Sequence, residues 1–140
     1  MPDYDLFAHT EKDDLVAQDY AQQARERFDI HDYDRAIEHF TVAIHLLPRN
    51  ARIYYERGNA YRLRGDLHRA LEDYDSAVHF DPALRDAFYE RAHIRKQYAN
   101  FRGAIADLET YLALCDDLCD EDRALVEQSI RDLKTQARAG

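Results

Sequence analysis

Apolar residues return every three or four positions along most of this chain, with charged residues between them. That is the period of helices that bury one face. In the stretch from Ala51, residues Tyr54, Gly58 and Tyr61 recur at spacings of four and three and predict a first helix. Gly65 closes it, because glycine tolerates the backbone that ends a helix. Asp66 opens the next helix as an N-cap, its carboxylate accepting the orphan backbone N–H groups. Leu67, Ala70, Leu71, Tyr74, Ala77 and Val78 trace the apolar stripe of that second helix. Pro82 stops it and holds Asp81 out of the helical region. Near the amino end, Thr10 and Asp13 read as an N-cap with an acid three residues on. Near the other end, Leu125, Val126, Ser129, Ile130, Leu133 and Ala137 form one narrow stripe, flanked by Glu127, Arg131, Asp132 and Lys134. The reading is all-α, with about seven helices.

The pattern repeats. Pro82 minus Pro48 is 34, and the same offset links Ala77 to Ala43, Tyr74 to Phe40, Ala70 to Ala36, Asp66 to Asp32 and Tyr54 to Tyr20. A second step of 34 puts Phe88, Asn100, Ala104 and Leu108 under Tyr54, Asp66, Ala70 and Tyr74. Size class is preserved at every step, so each unit is one helix pair written three times. Asp32, Asp66 and Asn100 supply the same cap, because the same turn needs the same short polar side chain. Gly58 and Ala70 let the two helices of a pair approach closely, and the large rings fill the space beside them. Such a unit cannot bury its apolar face alone, so stacking supplies the core.

These residues resemble the tetratricopeptide repeat family. The middle unit is most similar, with Tyr54, Gly58, Tyr61, Ala70, Tyr74, Ala77 and Pro82 at the family's motif positions. The first unit has Arg27 where the family has tyrosine, and the third has Tyr111 and Asp116 where it has alanine and proline. The resemblance implies a right-handed superhelical stack of three helix pairs, residues 17–50, 51–84 and 85–118, with a capping helix over 120–138. Residues 13–140 are then a single repeat domain preceded by an arm over 1–12. It also implies a binding role, an adaptor or scaffold that takes a partner peptide or helix in a concave groove lined by the first helix of each pair. The first-helix positions outside the core stripe give the candidate groove: Arg25, Phe28, Arg52, Tyr55, Glu56, Asn59, Arg62, Asp86, Tyr89, Glu90, His93 and Lys96. Arg25, Asn59 and His93 form one ladder at intervals of 34, with Tyr55 and Tyr89 another and Arg62 and Lys96 a third. Donors and amphipathic rings on such a surface suit a peptide backbone or a carboxylate. A chaperone-binding subset of the family clamps a C-terminal carboxylate with Lys, Asn, Asn, Lys and Arg. The matching positions here are Ala21, Arg25, Glu56, Asp86 and Glu90, and three acids there disfavour an acidic chaperone tail.

Composition narrows this further. The 140 residues are 46% apolar and 34% charged, which suits a soluble globular chain rather than a disordered or membrane-spanning one. The net charge of −9 argues against nucleic acid and anionic membrane as partners, which need a basic face. The amino-terminal text lacks the basic and apolar regions of a secretory signal, which makes the cytoplasm the default expectation. No phosphate loop, nucleophile elbow or H-E-x-x-H motif is present, so neither an enzyme nor a cofactor or metal is expected. Cys115 and Cys119 read as reduced thiols. The acidic run from Asp116 to Asp122 reads as helix-start chemistry rather than a calcium loop. A structural module that associates with its own copy is the alternative to an adaptor, and the arm's Tyr4, Leu6 and Phe7 are candidates to dock in a groove. Replacing Ala70 by leucine overpacks the helix contact and is expected to cost about 1–3 kcal/mol, read as a lower midpoint in urea denaturation.

Overall fold

The computed structural model describes residues 10–140, so the proposed docking of Tyr4, Leu6 and Phe7 lies outside the described residues. Seven helices and no strand occur among them: α1 (Glu11–Asp29), α2 (Tyr33–Leu46), α3 (Ala51–Arg64), α4 (Leu67–Phe80), α5 (Arg85–Gln97), α6 (Phe101–Leu114) and α7 (Asp120–Ala139). The chain divides into two compact units, one ending at Asp73 and one beginning at Tyr74.

In the first unit α1 packs on α2 and α2 on α3. Its buried residues include Ala17, Ala21 and Ala24 of α1, Ala36, Ile37, Phe40, Ala43 and Ile44 of α2, and Ile53, Ala60 and Tyr61 of α3. The fully buried Ala17, Ala21, Ala24, Ala36, Ala43 and Ala60 leave room for helices to pack closely, and Phe40, 1% exposed, adds bulk to the same core. In the second unit α5 packs on α6 and α6 on α7. Ala92, Ala104, Leu108, Ile130 and Leu133 form its core, with Tyr89, Phe101, Ile105, Leu112 and Val126 packed around them. Ile130 and Leu133 belong to the narrow stripe read from the sequence, so α7 covers this core with one face and shows the other to water.

Helix starts follow the capping chemistry except at α5, where Leu84 makes no side-chain cap bond. Thr10 and Asp13 form a reciprocal capping box on α1. The carboxylate or amide oxygens of Asp32, Asp66 and Asn100 accept from the backbone N–H of Arg35, Arg69 and Gly103 at 3.3, 3.2 and 3.0 Å. Asn50 caps α3 through the N–H of Ile53 at 3.2 Å. At α7 the cap is the Cys119 sulfur, which accepts from the N–H of Asp122 at 3.4 Å.

The turn inside each helix pair is the same turn three times. Asp32, Asp66 and Asn100 donate their N–H to the carbonyls of Arg27, Tyr61 and Arg95, five residues back, at 2.9, 2.9 and 2.8 Å. The residue before each is left-handed: His31 at φ 62°, Gly65 at φ 94° and Ala99 at φ 58°. Only the middle copy places glycine there, so the other two turns carry a side chain in backbone that favours none.

A second repeated element joins the helices of a pair. Arg57 of α3 forks onto both carboxylate oxygens of Asp73 at 2.8 and 2.7 Å and also donates to Thr41 Oγ1 at 3.2 Å. In the second unit Arg91 of α5 forks onto both oxygens of Asp107 at 3.0 and 2.7 Å and donates to Asp75 at 3.0 Å. Arginine, carboxylate and third partner are each 34 positions apart, so one interaction set is written into the repeat. Asp73 is 4% exposed and Asp107 2%. Burial alone would lower the pKa of Arg57 and Arg91, but the facing carboxylates outweigh it and hold both above the ordinary arginine value.

Two outcomes test this architecture. Arg57→Ala strands a buried carboxylate and is expected to cost about 3–5 kcal/mol in urea denaturation, whereas Arg57→Leu with Asp73→Leu recovers most of the loss. Ala99→Gly relieves the left-handed strain and is expected to raise stability by about 1 kcal/mol, seen as a higher thermal midpoint.

Candidate functional site

Helices α1, α2 and α3 enclose a cavity of about 380 Å³ in the first unit. Arg25, Phe28 and Asp29 from the last turns of α1, Phe40 from α2, and Arg52, Tyr55, Glu56 and Asn59 from α3 line it. The α3 residues reach one cavity because they sit at spacings of three and four on one helix face. Phe28 and Phe40 give it aromatic walls, and Phe28 is itself braced edge-on by Tyr33 at 5.5 Å between centroids.

Its charges are tied to one another. The Arg25 guanidinium donates to both oxygens of Glu56, with Nε at 3.0 and 3.1 Å and Nη2 at 3.0 Å. Arg52 approaches the same carboxylate at 3.5 Å, four residues away on α3, and lies over the Tyr55 ring at 5.6 Å. Glu56 is the most enclosed of the three, 16% exposed against 38% for Arg25 and 59% for Arg52. The first ladder residue is therefore not an open donor. Arg25 spends at least two of its N–H groups on Glu56.

The second unit holds a smaller cavity of about 90 Å³ among α5, α6 and α7. Tyr89, Ala92, His93 and Lys96 of α5 line it with Leu108 of α6 and Leu125, Val126, Ser129 and Leu133 of α7. Tyr89 and His93 meet edge-on at 4.6 Å, and Tyr111 lies against Tyr89 at 5.0 Å. Tyr111 is the position where the third repeat departs from a small residue, and its ring covers Tyr89 there. Burial first, and then the neighbouring Cys115 thiol, push the Tyr111 hydroxyl up to about 12. The Arg85 guanidinium, paired with Asp117, holds that exposed carboxyl below the usual carboxylate range.

Of the twelve candidate groove residues, Arg25, Phe28, Arg52, Tyr55, Glu56 and Asn59 meet in the first cavity, and Tyr89, His93 and Lys96 in the second. Arg62, Asp86 and Glu90 line neither. The sequence reading missed Asp29 in the first cavity; Phe40, read as core, is buried and backs the cavity from behind. It also missed the contribution of α7 to the second, which periodicity alone could not orient. No group of three or more His, Cys, Asp or Glu able to hold a metal ion occurs among the described residues. No helix among them is long and apolar enough to cross a membrane.

The tetratricopeptide repeat family model matches residues 21–85, the stretch that holds the first two turns and the Arg57–Asp73 pair described above. Residues 21–85 are tetratricopeptide repeats. Solved structures agree on the fold. The second such domain of Spaghetti (RPAP3), bound to the HSP90 peptide SRMEEVD, is 27% identical with a TM-score of 0.70, covering 75% of this chain and 99% of that one. The Sgt2 domain from Aspergillus fumigatus is 21% identical with a TM-score of 0.76, covering 96% and 87%. The Yersinia enterocolitica type III secretion chaperone SycD, in complex with a peptide of the translocator YopD, is 16% identical with a TM-score of 0.76, covering 86% and 93%. Among curated proteins no match is found. The chain thus shares the all-α fold of these tetratricopeptide repeat domains.

Proposed function

We propose that this protein is a non-catalytic adaptor that binds a peptide segment of a partner protein in the α1–α3 cavity. The observation that carries the reading is the convergence of six first-helix residues, chosen from sequence alone, on one cavity with aromatic walls. A side chain entering it would bury against Phe28 and Tyr55, and apolar area removed from water drives such association. Arg52 and Asn59 supply polar groups at the mouth for the peptide backbone. Two of the similar structures hold peptides, which supports a peptide as the class of ligand. Tyr89, His93 and Lys96 form a second, smaller acceptor site for one further side chain. A chaperone C-terminal tail stays disfavoured, because Asp29 and Glu56 stand in the larger cavity.

Display selection of random peptides on the full chain tests this. Enriched peptides are expected to bind in isothermal titration, and Tyr55→Ala with Asn59→Ala is expected to weaken them at least about tenfold while circular dichroism stays unchanged. Equal binding by the variant moves the site elsewhere. If nothing is enriched and light scattering instead shows a dimer, the self-associating module replaces the adaptor.

A further inference from the structure

We propose that Glu56 is the specificity-determining residue of the α1–α3 cavity, occupying with its own carboxylate the cationic site that an acidic peptide would need. The inference rests on the peptide-binding reading and adds the charge class of the ligand: a segment with no net negative charge.

The geometry supports it in three ways. Arg25 and Arg52 reach the same carboxylate from different helices, which is how a protein recognises a carboxylate ligand, except that here the carboxylate belongs to the chain. Glu56 is also the most enclosed of the three, and both guanidiniums are more exposed than the carboxylate they hold. A carboxylate arriving from solvent must compete with one already tethered within hydrogen-bond distance, whose effective concentration no free peptide matches. Charge complementarity points the same way. Arg25 and Arg52 against Asp29 and Glu56 leave the lining at zero net charge, in a chain of net charge −9. Without Glu56 the lining becomes +1, with two guanidiniums facing one cavity. Rejection of one ligand class by a placed charge is how a binding site gains discrimination without further contacts.

The experiment uses the full chain and fluorescence anisotropy with a labelled peptide, SRMEEVD, the ligand of a similar structure. A neutral analogue with its acids replaced by amides is the control. Wild type is expected to bind the acidic probe no better than the analogue. Glu56→Gln, which keeps the shape, and Glu56→Ala are each expected to bind the acidic probe at least about tenfold tighter than wild type does, with the gain reduced by added salt. Adding Arg25→Ala and Arg52→Ala is expected to abolish the gain. The three residues are partly exposed, so circular dichroism is expected to show all variants folded.

Wild type preferring the acidic probe tenfold overturns the proposal, and so does a gain absent from both Glu56 variants. A gain that survives loss of both arginines also overturns it. Failure of the peptide-binding reading appears separately, as no peptide enriched on wild type in display selection. The acidic probe still decides the role of Glu56 in that case.

Discussion

A carboxylate taken out of water must be paired, and this chain places one in each of its last two helix pairs. Asp73 and Asp107 are almost fully buried, and an uncompensated charge there costs more than most single contacts contribute. Each is met by an arginine sixteen residues earlier, from the first helix of the same pair. The two-pronged geometry allows little rotation of one helix against the other, so the pair fixes which face each helix shows. The remaining donors bind Thr41 and Asp75 on the preceding second helix, tying each arginine to the helix before it as well as the one after. Arg95 adds a further bond to Asp107.

The first repeat lacks this device. Gln23 and His39 stand where Arg57 and Asp73 stand one repeat later, and His39 Nδ1 is buried without a hydrogen-bond partner. Its ring lies beside Tyr20 instead, at 6.1 Å between centroids. The polar link from α1 to α3 is made by Arg25 and Glu56, which line the cavity, rather than inside the helix pair. This ion pair lines a cavity, whereas the Asp73 and Asp107 carboxylates of the later pairs are buried. The same chemistry serves packing in later repeats and faces an open cavity in the first.

Much of the fold was legible. The caps at Asp32, Asp66 and Asn100 and the end of a helix at Gly65 are local, decided within four or five residues, and local signals survive in a sequence. The left-handed residues His31 and Ala99 carry no glycine to mark them, yet the repeat locates both, because a turn with the same bonds recurs every 34 positions. The arginine–aspartate pairs were equally open to that comparison. They went unread because charged residues at helical spacing look like a solvated face until burial is known.

The sequence by itself determined the period, the helix boundaries and the class of fold, since each rests on neighbours along the chain. It also nominated the first-helix positions that could meet a ligand. Only the tertiary structure decided which of these share a cavity, and that Arg25 already holds a carboxylate. Those facts depend on distances between residues some thirty positions apart. Spacing along a chain places a side chain on a helix face, but what faces it across the gap is set by how helices pack.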